Sequence, residues 1–192
     1  SEIDRLMPVF GETLGKFSNV LPNARFILPS TPDLYEYSKK YLEQMPKNII
    51  FLTPEKYGFE KYLKFKKASF KISNLALAAS GTVALELAAN NTPMVIGYDM
   101  NIISRGIIGL MLQTDTVNLV NLITGNRNIP ECIGSNFKSE NLFLEMVRVY
   151  SNNQKQINDF KATMDLLGNN KDAPNVRAAN SLLTFCKEFK TV

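Results

Sequence analysis

An apolar run of strand length, Leu75-Ala76-Leu77-Ala78, stops at Ser80-Gly81-Thr82 and passes at once into a helix-forming run, Ala84-Leu85-Glu86-Leu87-Ala88-Ala89. Past Asn90-Asn91-Thr92-Pro93 a second apolar run follows, Met94-Val95-Ile96-Gly97-Tyr98. No other stretch constrains the fold as much, because strand, turn, helix and strand in this order make a β-α-β unit, whose strands lie parallel and need cover on both faces. The turn also carries chemistry. A helix entered through Ser-Gly-Thr offers unpaired backbone N–H groups and two hydroxyls, with the positive end of the helix dipole behind them, and this suits a phosphate. Gly81 lets a ligand come close to the backbone. Glu86 lies four residues after Thr82, one turn on and on the same face, too far along to cap the helix start and suited to a pair of sugar hydroxyls. Ser, Gly and Thr are equally ordinary helix-start residues, so the turn alone leaves a ligand site and a plain structural turn both open.

The same alternation runs through the rest of the chain. Ile3, Leu6, Met7, Phe10, Leu14 and Phe17 recur at helical spacing, so an amphipathic helix opens the chain and ends near Asn19 to Pro22. Arg25-Phe26-Ile27-Leu28-Pro29 reads as a short buried strand. Thr31-Pro32-Asp33 starts a helix, with Pro at the first helical position, that lasts to about Met45. Ile49-Ile50-Phe51-Leu52 is the second strand, and Phe59, Tyr62, Leu63 and Lys66 mark a helix with a basic outer side. With a weaker Val117-Asn118-Leu119, five strand candidates alternate with helices. This predicts an α/β fold, a Rossmann-like parallel sheet with helices on both faces, followed from Glu140 by a helical tail with breaks at Ser151 to Asn153 and around Gly168 to Pro174. No repeat or linker interrupts it, so residues 1–192 read as a single domain.

Composition narrows the chemistry. With 192 residues, 45% hydrophobic and 21% charged, the chain is long enough for a substantial core. It contains no His, which removes the commonest general base and the commonest zinc ligand, so no metal site is expected. Cys132 and Cys186 form neither a C-x-x-C pair nor a disulfide framework; they read as core residues in a reducing cytoplasm. The formal charge of +4 gathers only at Lys61, Lys64, Lys66, Lys67 and Lys71, which read as a solvated helix face with a modest pull toward anionic lipid. Without aromatic platforms or an Arg-rich groove, nucleic acid is not an expected partner. No stretch reaches the roughly 20 apolar residues of a membrane span, and no signal peptide is visible. Ser1 stands without Met and already in helical pattern, which reads as a cut end with sequence upstream. Ligands of such sheets sit beyond the carboxyl ends of the strands, where Ser80-Gly81-Thr82 falls. With neither G-x-G-x-x-G nor a P-loop present, a dinucleotide or other cofactor is not expected.

Taken in order, Ser1-Glu2-Ile3, Ala79-Ser80-Gly81-Thr82 with Leu85-Glu86, Thr92-Pro93-Met94-Val95 with Gly97-Tyr98, Asn121-Leu122 with Gly125, and Pro130-Glu131 run along nearly the whole chain. This series resembles the C-terminal half of the lipid-A-disaccharide synthase family, glycosyltransferases of the GT-B fold. The resemblance implies a UDP-sugar-binding domain of an enzyme that transfers 2,3-diacylglucosamine from UDP to 2,3-diacylglucosamine 1-phosphate, at the cytoplasmic face of the bacterial inner membrane. It implies that Ser80, Gly81 and Thr82 meet the donor pyrophosphate, Glu86 the ribose hydroxyls, and that Asn121 and Glu131 line loops closing around the donor. Read on the residues alone, Asn121 is a loop side chain bonded to its own backbone, Glu131 a helix-start carboxylate after Pro130, and Tyr98 a strand-end core residue.

Several positions depart from the family pattern. Asp99 stands where a basic residue is usual, Val120 in place of Pro, Asn126 in place of Arg, and Gly134 in place of Gln. The family's Gly-Ser-Arg, its acceptor domain and its catalytic acid lie upstream of Ser1, so no catalytic residue is expected on this chain. The resemblance thus implies a fragment that needs the N-terminal acceptor domain as its partner. Alternatives are another GT-B UDP-sugar enzyme, such as a UDP-GlcNAc transferase or 2-epimerase, and a non-catalytic remnant. Finally, Ile102, Ile103, Ile107, Ile108, Leu110, Met111 and Leu112 surround Ser104, Arg105 and Gly106. They read either as a buried helix or as an apolar patch in which Ile103 and Ile107 touch acyl chains or the bilayer and Arg105 sits at the rim.

Overall fold

The computed structural model describes residues 2–99, 115–169 and 171–189. Helix α1 (Glu2–Val20) leads to β1 (Phe26–Pro29), then α2 (Pro32–Ser38) runs into a 3-10 segment (Lys39–Gln44) before β2 (Ile49–Leu52). A short α3 (Pro54–Tyr57) and α4 (Phe59–Ile72) precede β3 (Ala76–Ala78), α5 (Val83–Ala89) and β4 (Met94–Tyr98). After residue 115 come α6 (Leu119–Thr124), β5 (Glu131–Ile133), a 3-10 turn (Gly134–Asn136), α7 (Ser139–Ser151), α8 (Gln154–Leu166) and α9 (Pro174–Phe189). The chain is therefore α/β with parallel strands, as the alternation predicts. The breaks in the helical tail also fall where Ser151 to Asn153 and Gly168 to Pro174 place them.

Two expectations change. Among the described residues the strands form two parallel sheets instead of one, β1-β2 and β3-β4-β5. Phe26 pairs with Ile49, Ala76 with Met94, and Ile96 with Glu131. The fifth strand is also not Val117–Leu119. Asn118 caps α6 instead, its side-chain oxygen accepting from the backbone of Val120 at 2.8 Å and Asn121 at 3.2 Å, because a short amide competes well for unpaired helix-start N–H groups. The strand is Glu131–Ile133, so Glu131 is a strand residue and not a helix-start carboxylate, and Asn121 lies in a helix and not a loop. The segment from Ile102 to Leu112, with Ile103, Arg105 and Ile107, lies outside the described residues.

Alternation along the strands splits the core into two faces, as a parallel sheet buried on both sides requires. Leu77 and Val95 pack with Leu6 and Phe17 of α1 and Leu142 and Met146 of α7. Ala76, Ala78, Met94 and Ile96 pack on the other face with Leu87 of α5, Val120 of α6 and Phe160 of α8. Gly97 permits a close approach in the first layer: a Cβ there would lie 2.7 Å from Phe10 and 2.9 Å from Phe137, whose rings meet edge to face. Buried Gln156 of α8 holds the start of β4 by bonding both the amide (2.9 Å) and the carbonyl (3.0 Å) of Met94. The carboxyl ends of β3, β4 and β5 are thereby brought side by side.

Candidate functional site

The Ser80-Gly81-Thr82 turn sits at the carboxyl end of β3 and opens α5. Gly81 has φ +149°, a value side-chain-bearing residues avoid, and a Cβ added to it would meet nothing within 4 Å, so the space over it is open. Thr82 is exposed and occupies the cap position of α5 without a side-chain cap bond. The Ser80 hydroxyl donates to the carbonyl of Val117 at 3.0 Å, tying this turn to the irregular segment leading into α6. Since α5 is only two turns long, what the turn can offer an anion is its amides and the Thr82 hydroxyl more than a summed helix dipole.

Glu86 lies one turn on, exposed, with its carboxylate paired to Lys66 of α4 at 2.7 Å. The other lysines singled out in the sequence, Lys61, Lys64, Lys67 and Lys71, are exposed on α4, as a solvated face requires. Lys66 differs from them in being half-buried and turned onto α5.

Asn121 and Glu131 are brought into direct contact. Asn121 is fully buried, and its amide nitrogen donates to the Glu131 carboxylate and to the carbonyl of Ile129, both at 2.9 Å, while its oxygen accepts from Ile129 N–H at 3.1 Å. Glu131 in turn accepts from the backbone of Val117 at 3.0 Å and from the Thr116 hydroxyl. One continuous set of bonds therefore links Ile129, Asn121, Glu131, Val117 and Ser80. Both polar ends of Asn121 are spent inside the protein, so in this geometry it shapes the wall beside the turn from beneath.

Further members of this wall carried no signal in the sequence reading. Arg127 forms a fork onto Asp115, with its Nε 3.1 Å from each carboxylate oxygen, and this guanidinium holds the Asp115 carboxyl below its usual range. Buried Asp159 accepts from Asn126 at 2.7 Å and Asn128 at 2.8 Å, fastening the loop that Gly125 turns with φ +72°. Asn126, which stands where the family pattern has Arg, is thus a structural tie. Gly134, in place of Gln, has φ +61° and suits its turn without strain. Burial pushes the Cys132 thiol up to about 11, which leaves it an unreactive core residue. Among the described residues no group of His, Cys, Asp and Glu is arranged to hold a metal ion, and no helix is long and apolar enough to cross a membrane. An open cavity of about 570 Å³ lies elsewhere, along β2 between Tyr35, Phe51 and Lys56.

The sequence matches the family described as lipid-A-disaccharide synthetase over residues 1–183. Relatives named lipid-A-disaccharide synthase include one from Ruegeria pomeroyi, 36% identical over 95% of this chain and 45% of its own length. Another, from Rickettsia prowazekii, is 35% identical over 86% of this chain and 41% of its own. A third, from Rhodospirillum centenum, is 31% identical over 95% and 44%. The chain spans less than half the length of these relatives.

Proposed function

The chain belongs to the lipid-A-disaccharide synthase family, and we propose that it is the donor-binding half of such an enzyme, holding a UDP-sugar in the crevice beyond the carboxyl ends of β3, β4 and β5. The observation that carries this is the Ser80-Gly81-Thr82 turn, exposed at Gly81 and Thr82 and open above Gly81, with the Glu86 carboxylate one helical turn away. The turn's amides and Thr82 hydroxyl receive the pyrophosphate, and Glu86 accepts from the two ribose hydroxyls, exchanging or sharing its bond to Lys66. Lys66 keeps a positive charge beside the phosphates, which offsets part of what Asp99 and Asn126 remove relative to the family pattern. Asn121 and Glu131 act by holding Val117 against Ser80.

The reaction of the intact enzyme is an inverting displacement on 2,3-diacylglucosamine attached to UDP, the acceptor hydroxyl of 2,3-diacylglucosamine 1-phosphate forming the new bond as UDP leaves. Hydrogen bonds from the Ser80 to Thr82 turn stabilise the charge growing on the pyrophosphate. The base comes from the other half of the enzyme, so this chain alone transfers no sugar. Both substrates of the family carry acyl chains, so the work is proposed to lie at a membrane surface, by resemblance to the family the cytoplasmic face of the bacterial inner membrane, with Ile103, Arg105 and Ile107 as the contacts.

UDP titration into the parent and Glu86→Ala tests the reading, with Lys66→Ala as a control for the freed lysine. Loss of two charge-assisted hydrogen bonds costs about 1.5–3 kcal/mol, a tenfold or greater weakening. Equal affinity in parent and Glu86→Ala, or amide shifts far from residue 80, overturns the assignment.

A further inference from the structure

Helix α4 buries Tyr62 and Ser69 on its inner face. Lys66 falls four residues after the first and three before the second, so helical spacing turns it inward with them, whereas Lys61, Lys64, Lys67 and Lys71 are exposed. Partial burial costs an ammonium some of its water, and this one is held in place by packing. Its Nζ lies 5.5 Å from the centre of the Phe70 ring, and Phe70 packs in the layer of Leu87 and Phe160. The Thr92 hydroxyl donates to the Phe70 carbonyl at 2.7 Å, which fastens this turn of α4 to the loop after α5. Lys66 therefore reaches the Glu86 carboxylate, 2.7 Å away, from a fixed base.

The pair is uneven. The Lys66 side chain is 26% exposed and that of Glu86 47%, so the ammonium has less water to fall back on than the carboxylate. Were Glu86 to turn to two ribose hydroxyls alone, Lys66 would lose its anion while half-buried, and that opposes the exchange. A diphosphate on the Ser80-Gly81-Thr82 turn supplies the missing anion. The converse also holds. Helix α5 rises only about 6 Å from Thr82 to Glu86, so a carboxylate there without a counter-charge repels a diphosphate on the turn. Arg127, the other cation of the wall, is spent on its fork to Asp115.

We infer that Lys66 is a specificity-determining residue of the nucleotide site, which makes tight binding depend on the diphosphate by answering the charge of Glu86 in the empty site and that of the phosphates in the filled one. With the turn read as the UDP site, on which this rests, Lys66 selects a nucleoside diphosphate over the bare nucleoside. Glu86 serves the ribose in both ligands, so only the phosphates distinguish them to Lys66.

The test titrates UDP and uridine separately into the 192-residue chain and its variants, with amide shifts as the readout. In Lys66→Met, UDP affinity is expected to fall at least ~10-fold while uridine affinity changes by less than ~3-fold. Lys66→Arg keeps the charge and is expected to hold the preference for UDP to within ~3-fold. Lys64→Met removes the same charge from the exposed face and changes UDP affinity by less than ~2-fold, because solvent and salt screen it. Should Lys66→Met lose its fold in a thermal melt, Lys66→Gln, neutral and polar, repeats the test with the same expected loss. Equal losses for UDP and uridine would make Lys66 a support for Glu86 alone and overturn the inference. Unchanged UDP affinity in Lys66→Met, or an equal loss in Lys64→Met, overturns it as well. Each of these leaves the UDP site standing if the parent binds UDP and Glu86→Ala weakens it, whereas a parent that ignores UDP refutes both.

Discussion

Replacing Asn121 by Ala tests whether its buried amide organises the wall beside the Ser80 turn. Asn121 is fully buried, as is Ile129 at 1% exposed, so water does not replace the lost side chain easily. Removing it strands the N–H and the carbonyl of Ile129, bonded at 3.1 and 2.9 Å, and takes one donor from Glu131. At ~1–3 kcal/mol for each orphaned buried group, the two backbone groups bring the cost to about 2–6 kcal/mol. Taking a urea dependence of about 2–3 kcal/mol per molar for a chain of this size, the unfolding midpoint falls by roughly 1–3 M at unchanged slope. Asn121→Asp sharpens the test. It keeps the acceptor for Ile129 N–H but sets a new carboxylate against that of Glu131, and burial with like charge raises the folded pKa of the pair. A raised carboxylate pKa means the folded state binds more protons, so this variant regains stability as pH falls from 7 toward 5. Urea titrations at both pH values, followed by far-ultraviolet circular dichroism, read both effects. A change under about 0.5 kcal/mol in Asn121→Ala, or no gain for Asn121→Asp at the lower pH, refutes the reasoning.

Gly97→Ala is expected to destabilise by about 1–3 kcal/mol, because the added methyl falls 2.7 Å from Phe10 and 2.9 Å from Phe137; Phe10→Leu in the same chain should recover much of this in a double-mutant cycle. The Glu140 carboxyl is drawn from its ordinary 4.5 down to about 2, chiefly by its hydrogen bond from Lys16. Its folded pKa lies below the unfolded one, so the stability it contributes is present above about pH 4.5 and lost as pH falls toward 2; melts across that range should be flatter for Glu140→Gln than for the parent. Thiol titration of the native chain should modify exposed Cys186 promptly and Cys132 only after unfolding, because Cys132 is buried and its thiol stays protonated at neutral pH.

Neighbours within a few residues fix much of the secondary structure. Four strands, at Phe26, Ile49, Ala76 and Met94, lie where apolar runs bounded by turn residues put them, and the helical tail breaks where Asn and Gly-rich stretches interrupt it. The Ser80-Gly81-Thr82 turn was legible for the same reason: strand, breaker and helix former follow one another directly. Other features depend on residues distant in the chain. Glu131–Ile133 is three residues long with a charge at its start, and it becomes a strand because β4 offers it a buried parallel edge, which no local propensity announces. Asn118, read as part of a strand, took the helix cap because its side chain found two unpaired N–H groups there. Asn121 and Glu131 stand ten residues apart, and Lys66 and Glu86 twenty, so neither contact exists until the sheet brings the ends of β3, β4 and β5 together. The division of the described strands into two sheets is of the same kind, since edge pairing is a property of the assembled layers and is written into no single segment.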